Sequence, residues 1–312
     1  MADTIAEGAS EVFADHRELL FSMVYNMLGS VDDTEDVLQD TWLAWSGRNT
    51  SGGSEIEHPR AYLVRIAINQ AIARRIAIRK RRETYVGPWL PEPLVDNRAH
   101  TADAADAAEA TLRAESVSMA LLVVLETLTP LERAVFVLHE VFGYPHSDVA
   151  AMLDRTPAAI RQLSHRAREH VDARRTRQRA DARMQRKVTE KFLVASTHGG
   201  NIEGLLAMLA PDVTMWSDGG GKRHAALRPI HGSDRVSRLL AGPTALSGVP
   251  ELRIEYRLVN GDPSAVVYSG AAPYAVVVLD IDPVTEKIHE IYTINNPDKL
   301  AGIVEIDIKS HE

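Results

Sequence analysis

The chain has 312 residues, 45% hydrophobic and 25% charged, with a formal net charge of −8. That length exceeds one ordinary core and suggests two or three domains. With no cysteine and no run of eighteen apolar residues, disulfides, thiolate metal sites and membrane-spanning helices are excluded, and a cytoplasmic protein is expected.

The charge is unevenly spread. Residues 1–57 hold twelve acidic and two basic side chains, residues 58–98 nine basic and three acidic, and residues 155–191 twelve basic and four acidic. Two cationic blocks inside an acidic chain point to a nucleic-acid partner despite the negative total. The start, "MADTIAEGASEVFADHRELL", lacks a basic region followed by an apolar one, so no secretory signal is expected.

From Val12 to about Arg82 the pattern is helical. "ELLFSMVYNMLGS" aligns Leu19, Met23 and Leu28, and Gly29-Ser30 stops it. Asp33 or Thr34 is the expected cap of the next helix, "TEDVLQDTWLAW", with Val37, Leu38, Trp42 and Trp45 as its apolar stripe. "SGRNTSGGSEIEH" reads as a loop. Pro59 opens "PRAYLVRIAINQAIARRIAIRKRR", whose apolar positions are Leu63, Ile66, Ala67, Ile72 and Ile76.

A proline-clamped stretch follows, "TYVGPWLPEPLVD", then the alanine- and acid-rich "NRAHTADAADAAEATLRAES", a linker running into a second helical block over 112–186. Beyond that come one or two helices and then four β-type segments, "LRIEYRLVNG", "SAVVYSG", "YAVVVLDID" and "KIHEIYTINN". This describes a small α+β domain whose strands come late.

"SDVAAMLDRTPAAIRQLSHRAREHV" carries the most specific pattern. Ser147–Leu153 forms a short helix, Asp154-Arg155 the turn, Thr156 the cap and Pro157 the first position of a second helix. The second helix buries Ile160, Leu163, Ala167 and Val171 and turns Arg161, Gln162, Ser164, His165, Arg166 and Arg168 outward. That is a helix-turn-helix, whose second helix enters the major groove by its N-terminal end. Arginine and glutamine are the types that read guanine and adenine edges, so Arg161 and Gln162 are candidate readers, and Arg166 and Arg168 suit phosphates. An ordinary helical hairpin with a solvated basic face shares this pattern; the basic excess favours DNA.

These segments resemble the extracytoplasmic-function (ECF) sigma factors of bacterial RNA polymerase. "LTPLERAVFVLHEVFGYPHSDVAAMLDRTPAAIRQLSHRARE" is similar to their region 4, "DDTEDVLQDTWLAW" to region 2.2, and the cationic helix to regions 2.3–2.4, in the family's order. The resemblance implies promoter DNA and RNA polymerase core as partners, with contacts to the β′ clamp helices and the β flap. It assigns −35 contacts to Ala158, Arg161, Gln162, His165, Arg166 and Arg168. It assigns −10 contacts to Tyr62, Arg65, Asn69, Arg74, Arg75, Arg79, Lys80, Arg81 and Arg82, although Ala73 stands where many members carry an aspartate. Core contacts fall to Asp36, Gln39, Asp40 and Trp42. Tyr85 is the other aromatic near enough to stack an extruded base.

The remaining chain resembles the SnoaL-like branch of the cone-shaped α+β fold shared by nuclear transport factor 2 and ketosteroid isomerase. A subgroup of sigma factors carries such a tail together with three recurring motifs. All three stand here: Trp89, Leu90, Pro91, Glu92 and Pro93; Asp218, Gly219, Gly220, Gly221 and Lys222; and Asn296, Pro297, Asp298, Lys299 and Leu300. The resemblance implies a multidomain protein: a region 2 domain over 1–85, a linker over 86–111, a region 4 domain over 112–180, a SnoaL-like domain over 184–300 and a tail over 301–312.

Pro88, Pro91 and Pro93 make the linker less costly to order, and burying Trp89 and Leu90 together is worth about 3–5 kcal/mol. Docking at the glycine-rich turn and the NPDKL segment is one reading; the other leaves Trp89 covering the end of the third helix. A docked tail regulates the two DNA-reading modules, and a separate anti-sigma protein is not expected. Asp218, His224, His231, His289, Tyr256, Tyr268 and Tyr274 could serve catalysis by type alone. They form no nucleophile, paired-carboxylate or metal constellation, so no enzyme, cofactor or metal is expected, while the cone offers room for a small ligand. A ligand-responsive helix-turn-helix regulator acting without polymerase is the competing function.

Overall fold

The structure is a computed structural model and describes residues 2–50, 56–96, 117–173, 180–197, 201–242, 246 and 249–304. The alanine-rich segment expected to lead into the second helical block lies outside the described residues. Two compact units emerge: Met1–Glu83 with Asp106–Val117 and Leu121–Arg175, and Thr84–Ala105 with Ser118–Ala120 and Thr176–Glu312.

In the first unit, α1 (Ala2–Leu28), α2 (Val31–Thr50) and α3 (Pro59–Arg82) pack on one another. Leu20, Met23, Val24 and Met27 of α1 meet a core shared with Val37, Leu38 and Trp45 of α2 and Leu63, Val64, Ala67 and Ile68 of α3, all buried. Gly29, at φ 68°, ends α1, a conformation glycine adopts without penalty. α2 starts at Val31, ahead of the expected caps, with Ser30 accepting from the Asp33 amide, and it runs on into the expected loop. Ile76, expected inside, is 55% exposed. Leu63 and Ala67 are buried as expected, and the buried face continues through Val64, Ile68, Ala71, Arg75 and Ile78, so an arginine holds a core-facing position.

The same unit contains α4 (Met119–Leu125) from Leu121 onward, α5 (Pro130–Phe136) with a π-helical turn over Val137–Val141, α6 (His146–Met152) and α7 (Pro157–Asp172). Thr129 and Glu132 form a capping box on α5. Asp154, at φ 51°, makes the turn between α6 and α7. Ser164, expected outside, is buried: it lies four residues after Ile160 and three before Ala167, on the same face.

The second unit holds α8 (Ala182–Thr197), α9 (Ile202–Met208), β1 (Leu209–Asp218), β2 (Ile230–His231), α10 (Ser233–Leu240), β3 (Leu252–Val259), β4 (Asp262–Ser269), β5 (Ala272–Ile281), β6 (Ile288–Ile294) and α11 (Pro297–Leu300). Its sheet runs in the order β2-β1-β6-β5-β4-β3, with β1 parallel to β6 and the other pairs antiparallel. Strands therefore do not all come late. β1 follows α9 directly; Pro211 and a register shift between Leu209 and Thr214 hid its alternation.

Val188, Phe192 and Leu193 of α8 pack with Val213, Met215, Ala265, Val267, Val277 and Ile291 on one side of the sheet. The alternate residues Val266, Tyr268, Val276, Val278 and Ile294 are buried too, so both faces are covered. Phe192→Ala should cost about 3–5 kcal/mol through the lost burial and the cavity left behind. A lowered urea midpoint for the second unit, with the helical unit's midpoint unchanged, is the expected reading.

Candidate nucleic-acid interface and linker dock

α7 is set up by its own ends. Thr156 accepts from the Ala159 amide at 3.2 Å, and Pro157 supplies a pre-set backbone angle without an orphan amide. Ala158, Arg161, Gln162, His165, Arg166 and Arg168 are all exposed. Arg168 is committed to Glu140 of the π-helical turn at 2.5 Å, which raises its pKa, and His165 lies 3.6 Å from Glu169. Arg166 Nε is 3.9 Å from Glu132.

The α3 residues divide. Arg65 and Arg79 are exposed; Tyr62 is half-buried, with Trp45 beside its ring and the Arg48 guanidinium 5.2 Å from its centroid. Asn69 donates to the Arg65 carbonyl and, at 3.1 Å, to the Met152 carbonyl at the end of α6. Arg74 bonds Asp33 and Asp36, the Asp33 hydrogen bond chief among the causes that raise its pKa. The side chains of Lys80 and Arg81 lie outside the described residues.

Arg75 and Arg82 are turned inward. Together with Arg133 they surround Glu126: Arg133 at 2.5 Å, Arg75 at 3.3 Å and Arg82 in direct contact. Each arginine also donates to one carbonyl of the last turn of α1, Arg133 to Asn26, Arg75 to Met27 and Arg82 to Leu28. Carbonyls of a last helical turn carry the negative end of the helix dipole, so they offset the two cations Glu126 cannot neutralise. Burial raises the Glu126 pKa, but the three guanidiniums outweigh it and hold the group at about 2. Burial lowers Arg133 to about 9. Glu126 and Arg133 were not singled out from the sequence; the available signal was an acid and an arginine interrupting the apolar stretch "LLVVLETLTPLERAVF".

On α2, Asp36, Gln39 and Asp40 are exposed, and Trp42 is half-buried against Phe13 at 5.3 Å. Leu43, which sequence reasoning passed over, is 58% exposed and adds an apolar residue to this acidic surface.

In the second unit the linker is held at both ends. Asp218 is fully buried, and its carboxylate accepts from the Tyr85 hydroxyl at 2.5 Å, the Leu90 amide at 2.8 Å, the Gly220 amide at 3.2 Å and Lys299 Nζ at 2.7 Å. Lys299 also donates to the Leu90 carbonyl, and Asn296 donates to the Tyr85 hydroxyl at 2.8 Å. Burial, then the Asp218 hydrogen bond, raises the Tyr85 pKa, so its hydroxyl stays a donor. Tyr85 is thus a linker anchor in this conformation rather than a free stacking surface.

Downstream, Val95 bridges Val259 at the edge strand β3. The Asp96 amide donates to Leu258, the Asn260 amide to Leu94, and Arg257 Nε to the Asp96 carbonyl. Leu90, Pro91 and Pro93 are buried, whereas Trp89 and Glu92 are half-buried, so the energy expected from fully burying Trp89 is only partly realised. A Cβ at Gly219 would fall 2.3 Å from the Arg223 carbonyl oxygen and 2.8 Å from Ala225 Cβ. Gly220, at φ 59°, sits where a Cβ would fall 2.4 Å from Asn296 Nδ2, and Gly221 approaches Val86. Lys222 pairs with Asp298 at 2.6 Å on the surface, Pro297 opens α11, and Leu300 is buried.

Residues 12–84 match Sigma-70 region 2, and residues 118–171 match Sigma-70, region 4. The chain is 35% identical over 295 residues to "ECF RNA polymerase sigma factor SigJ" of Mycobacterium tuberculosis, covering 92% of this chain and 91% of that one. It is 28% identical to the same organism's "Probable ECF RNA polymerase sigma factor SigI", covering 93% and 94%. The crystal structure of M. tuberculosis SigJ superposes with a TM-score of 0.69 at 31% identity, over 96% of this chain and 99% of that one.

Two expectations follow. Glu126→Gln leaves three guanidiniums around a neutral amide, and breaking such a buried set costs about 3–5 kcal/mol. In the wild type, the Glu126 contribution is complete above pH 4.5 and is lost as pH falls toward 2. Acid titration of unfolding should therefore lose that limb in Glu126→Gln. Asp218→Ala strips four donors of their acceptor, and Gly220→Ala drives Asn296 aside; both should speed proteolysis of residues 86–96, which the wild type protects.

Proposed function

The chain belongs to the ECF RNA polymerase sigma factors, which direct core polymerase to promoters, and we propose that its C-terminal cone regulates this activity by holding the linker. Family membership removes the competing reading of a regulator that works without core. α7 reads the −35 element through Arg161 and Gln162, with His165, Arg166 and Ala158 alongside and Arg168 holding the helix to Glu140. The observation that carries this is a side-chain-capped, proline-initiated helix whose exposed N-terminal half bears the residue types that recognise base edges.

α3 meets the −10 element with Arg65, Asn69 and Arg79, next to Tyr62, while Lys80 and Arg81 extend the cationic run. Asp36, Gln39, Asp40 and Leu43, with Trp42 behind them, face the β′ clamp helices, and the region 4 helices reach the β flap. Asn69 is tied to Met152, and Arg75 and Arg82 to Glu126, so in this conformation region 4 occupies groups that region 2 would present to DNA. The reading makes this the resting form, which polymerase opens.

The regulatory part rests on the linker, whose backbone and side chains are bound by Asp218, Lys299 and the β3 edge. The sheet face that α8 covers is packed with Val188, Phe192 and Leu193, which a small ligand would have to displace. Regulation is therefore assigned to the docked linker rather than to a ligand in the cone. The fused domain is silent on a separate anti-sigma protein, and that expectation is dropped.

Run-off transcription with purified core tests the reading: defined starts should appear only when the chain is added. Arg161→Ala and Gln162→Ala should each cost about 1–3 kcal/mol at the matched base and relax the −35 preference. Arg79→Ala should weaken all promoters alike and lower the salt slope by about one. Identical behaviour of the two kinds of variant would reject the division into readers and phosphate clamps. Asp218→Ala should change promoter output; unchanged output would remove the regulatory role.

A further inference from the structure

Lys299 is held in an unusual way for a lysine in an ion pair. Its Nζ lies 4.2 Å from the centroid of the Trp89 ring and 5.2 Å from that of Tyr85. On its remaining sides it bonds Asp218 Oδ2 at 2.7 Å and the Leu90 carbonyl. The lysine side chain is 11% exposed and that of Asp218 0%, so the ammonium has lost nearly all its water. Two aromatic faces, a carboxylate and a carbonyl around one point charge make up the chemistry of an alkylammonium receptor. Two oxygens are too few for a hard metal ion, and aromatic faces are not ligands for one.

The walls and the occupant come from different parts of the chain. Tyr85, Trp89 and Leu90 belong to the linker and Asp218 to the end of β1. The ammonium arrives on the four-residue helix α11. Three of the wall groups are also fixed without the lysine, since Asp218 accepts from Tyr85, from the Leu90 amide and from Gly220. A wall that persists when its occupant leaves is a binding site with a tethered ligand.

We propose that Tyr85, Trp89, Leu90 and Asp218 form an ammonium-binding cage, filled here by Lys299, and that small primary alkylammonium ions bind the same cage. The inference depends on the docked linker described above. Its test reads binding and not transcription, so it can fail while the regulatory reading stands, and the reverse.

The experiment is chemical rescue in the full chain. Lys299→Ala should lower the melting temperature by several degrees, because the Asp218 charge loses its partner. n-Butylammonium chloride should restore at least half of that loss along a saturating curve, whereas sodium chloride at equal ionic strength and neutral 1-butanol should not. Lys299→Met, which fills the cage with an uncharged stem, and the double variant Trp89→Ala with Lys299→Ala should show no rescue. Absence of rescue, equal rescue by butanol or sodium, or rescue that survives loss of Trp89 would overturn the proposal. If Lys299→Ala does not fold, the titration moves to the wild-type chain, read at the Trp89 indole resonance. A saturating shift with n-butylammonium, absent with sodium, supports competition for the cage; no shift rejects it.

Discussion

A carboxylate removed from water has to be met by cations and donors, and each unit of this protein is organised around one. Leaving either group unmatched would cost several kcal/mol, a large part of the stability of any domain. Glu126 collects Arg75 and Arg82, 51 and 44 residues upstream, and Arg133, seven downstream. Asp218 collects Tyr85 and Leu90, 133 and 128 residues upstream, and Lys299, 81 downstream. The two sites differ in balance. Around Asp218 one ammonium and three neutral donors satisfy one negative charge. Around Glu126 three guanidiniums exceed it, and only the carbonyl end of α1 makes the excess tolerable.

That excess has a functional consequence under the proposed reading. A guanidinium that is largely withdrawn from water, bonded to a helix end and paired with a carboxylate is unavailable to a phosphate. Arg75 and Arg82 are in that position, while Arg65 and Arg79 on the same helix are not. The cationic run of α3 thus serves two masters, and which one it serves depends on whether Glu126 keeps its place. Any partner that drew Glu126 away would free two cations at once and leave Arg133 exposed to their repulsion. Packing of the two helical blocks and availability of charge for DNA are therefore coupled through one side chain.

Much of this was legible from local pattern. The α7 cap, its proline and its 160-163-167-171 row are all short-range signals, and they placed the exposed basic residues correctly. What pattern could not supply was the partner of a charge. Nothing local distinguishes Arg75 from Arg79, since both lie in a basic run at helical spacing; burial separates them, and the partners that hold Arg75 inside, Met27 and Glu126, lie far along the chain. Ile76 and Ser164 were misplaced for a related reason, because residue type was given more weight than angular position on the helix. β1 was missed because a proline and a bulge interrupt the alternation from which strands are read. The three motifs around Trp89, Asp218 and Asn296 were visible as motifs, but their chemistry, a carboxylate shared by linker and tail, required coordinates.

The proline-clamped linker is a consequence of what it has to do. An unrestrained segment of about ten residues would pay roughly 1–2 kcal/mol per residue in backbone freedom on docking. Against that, the gains are modest: Leu90, fully buried, contributes about 1.5–3 kcal/mol, and the half-buried Trp89 adds a cation–π contact of about 1–2 kcal/mol. Pro88, Pro91 and Pro93 have little freedom to lose, and they leave three fewer amides in need of partners. The remaining amides at Leu90 and Asp96 find Asp218 and the Leu258 carbonyl, and the Leu94 carbonyl accepts from Asn260. Docking thus depends on a few specific groups, with Asp218 accepting from Tyr85, Leu90 and Lys299 at once, and a linker held through one carboxylate responds to one added or removed charge. A segment meant to stay docked permanently would need a larger apolar surface than Leu90 and two prolines; one meant to be released is well served by a buried ammonium on a four-residue helix.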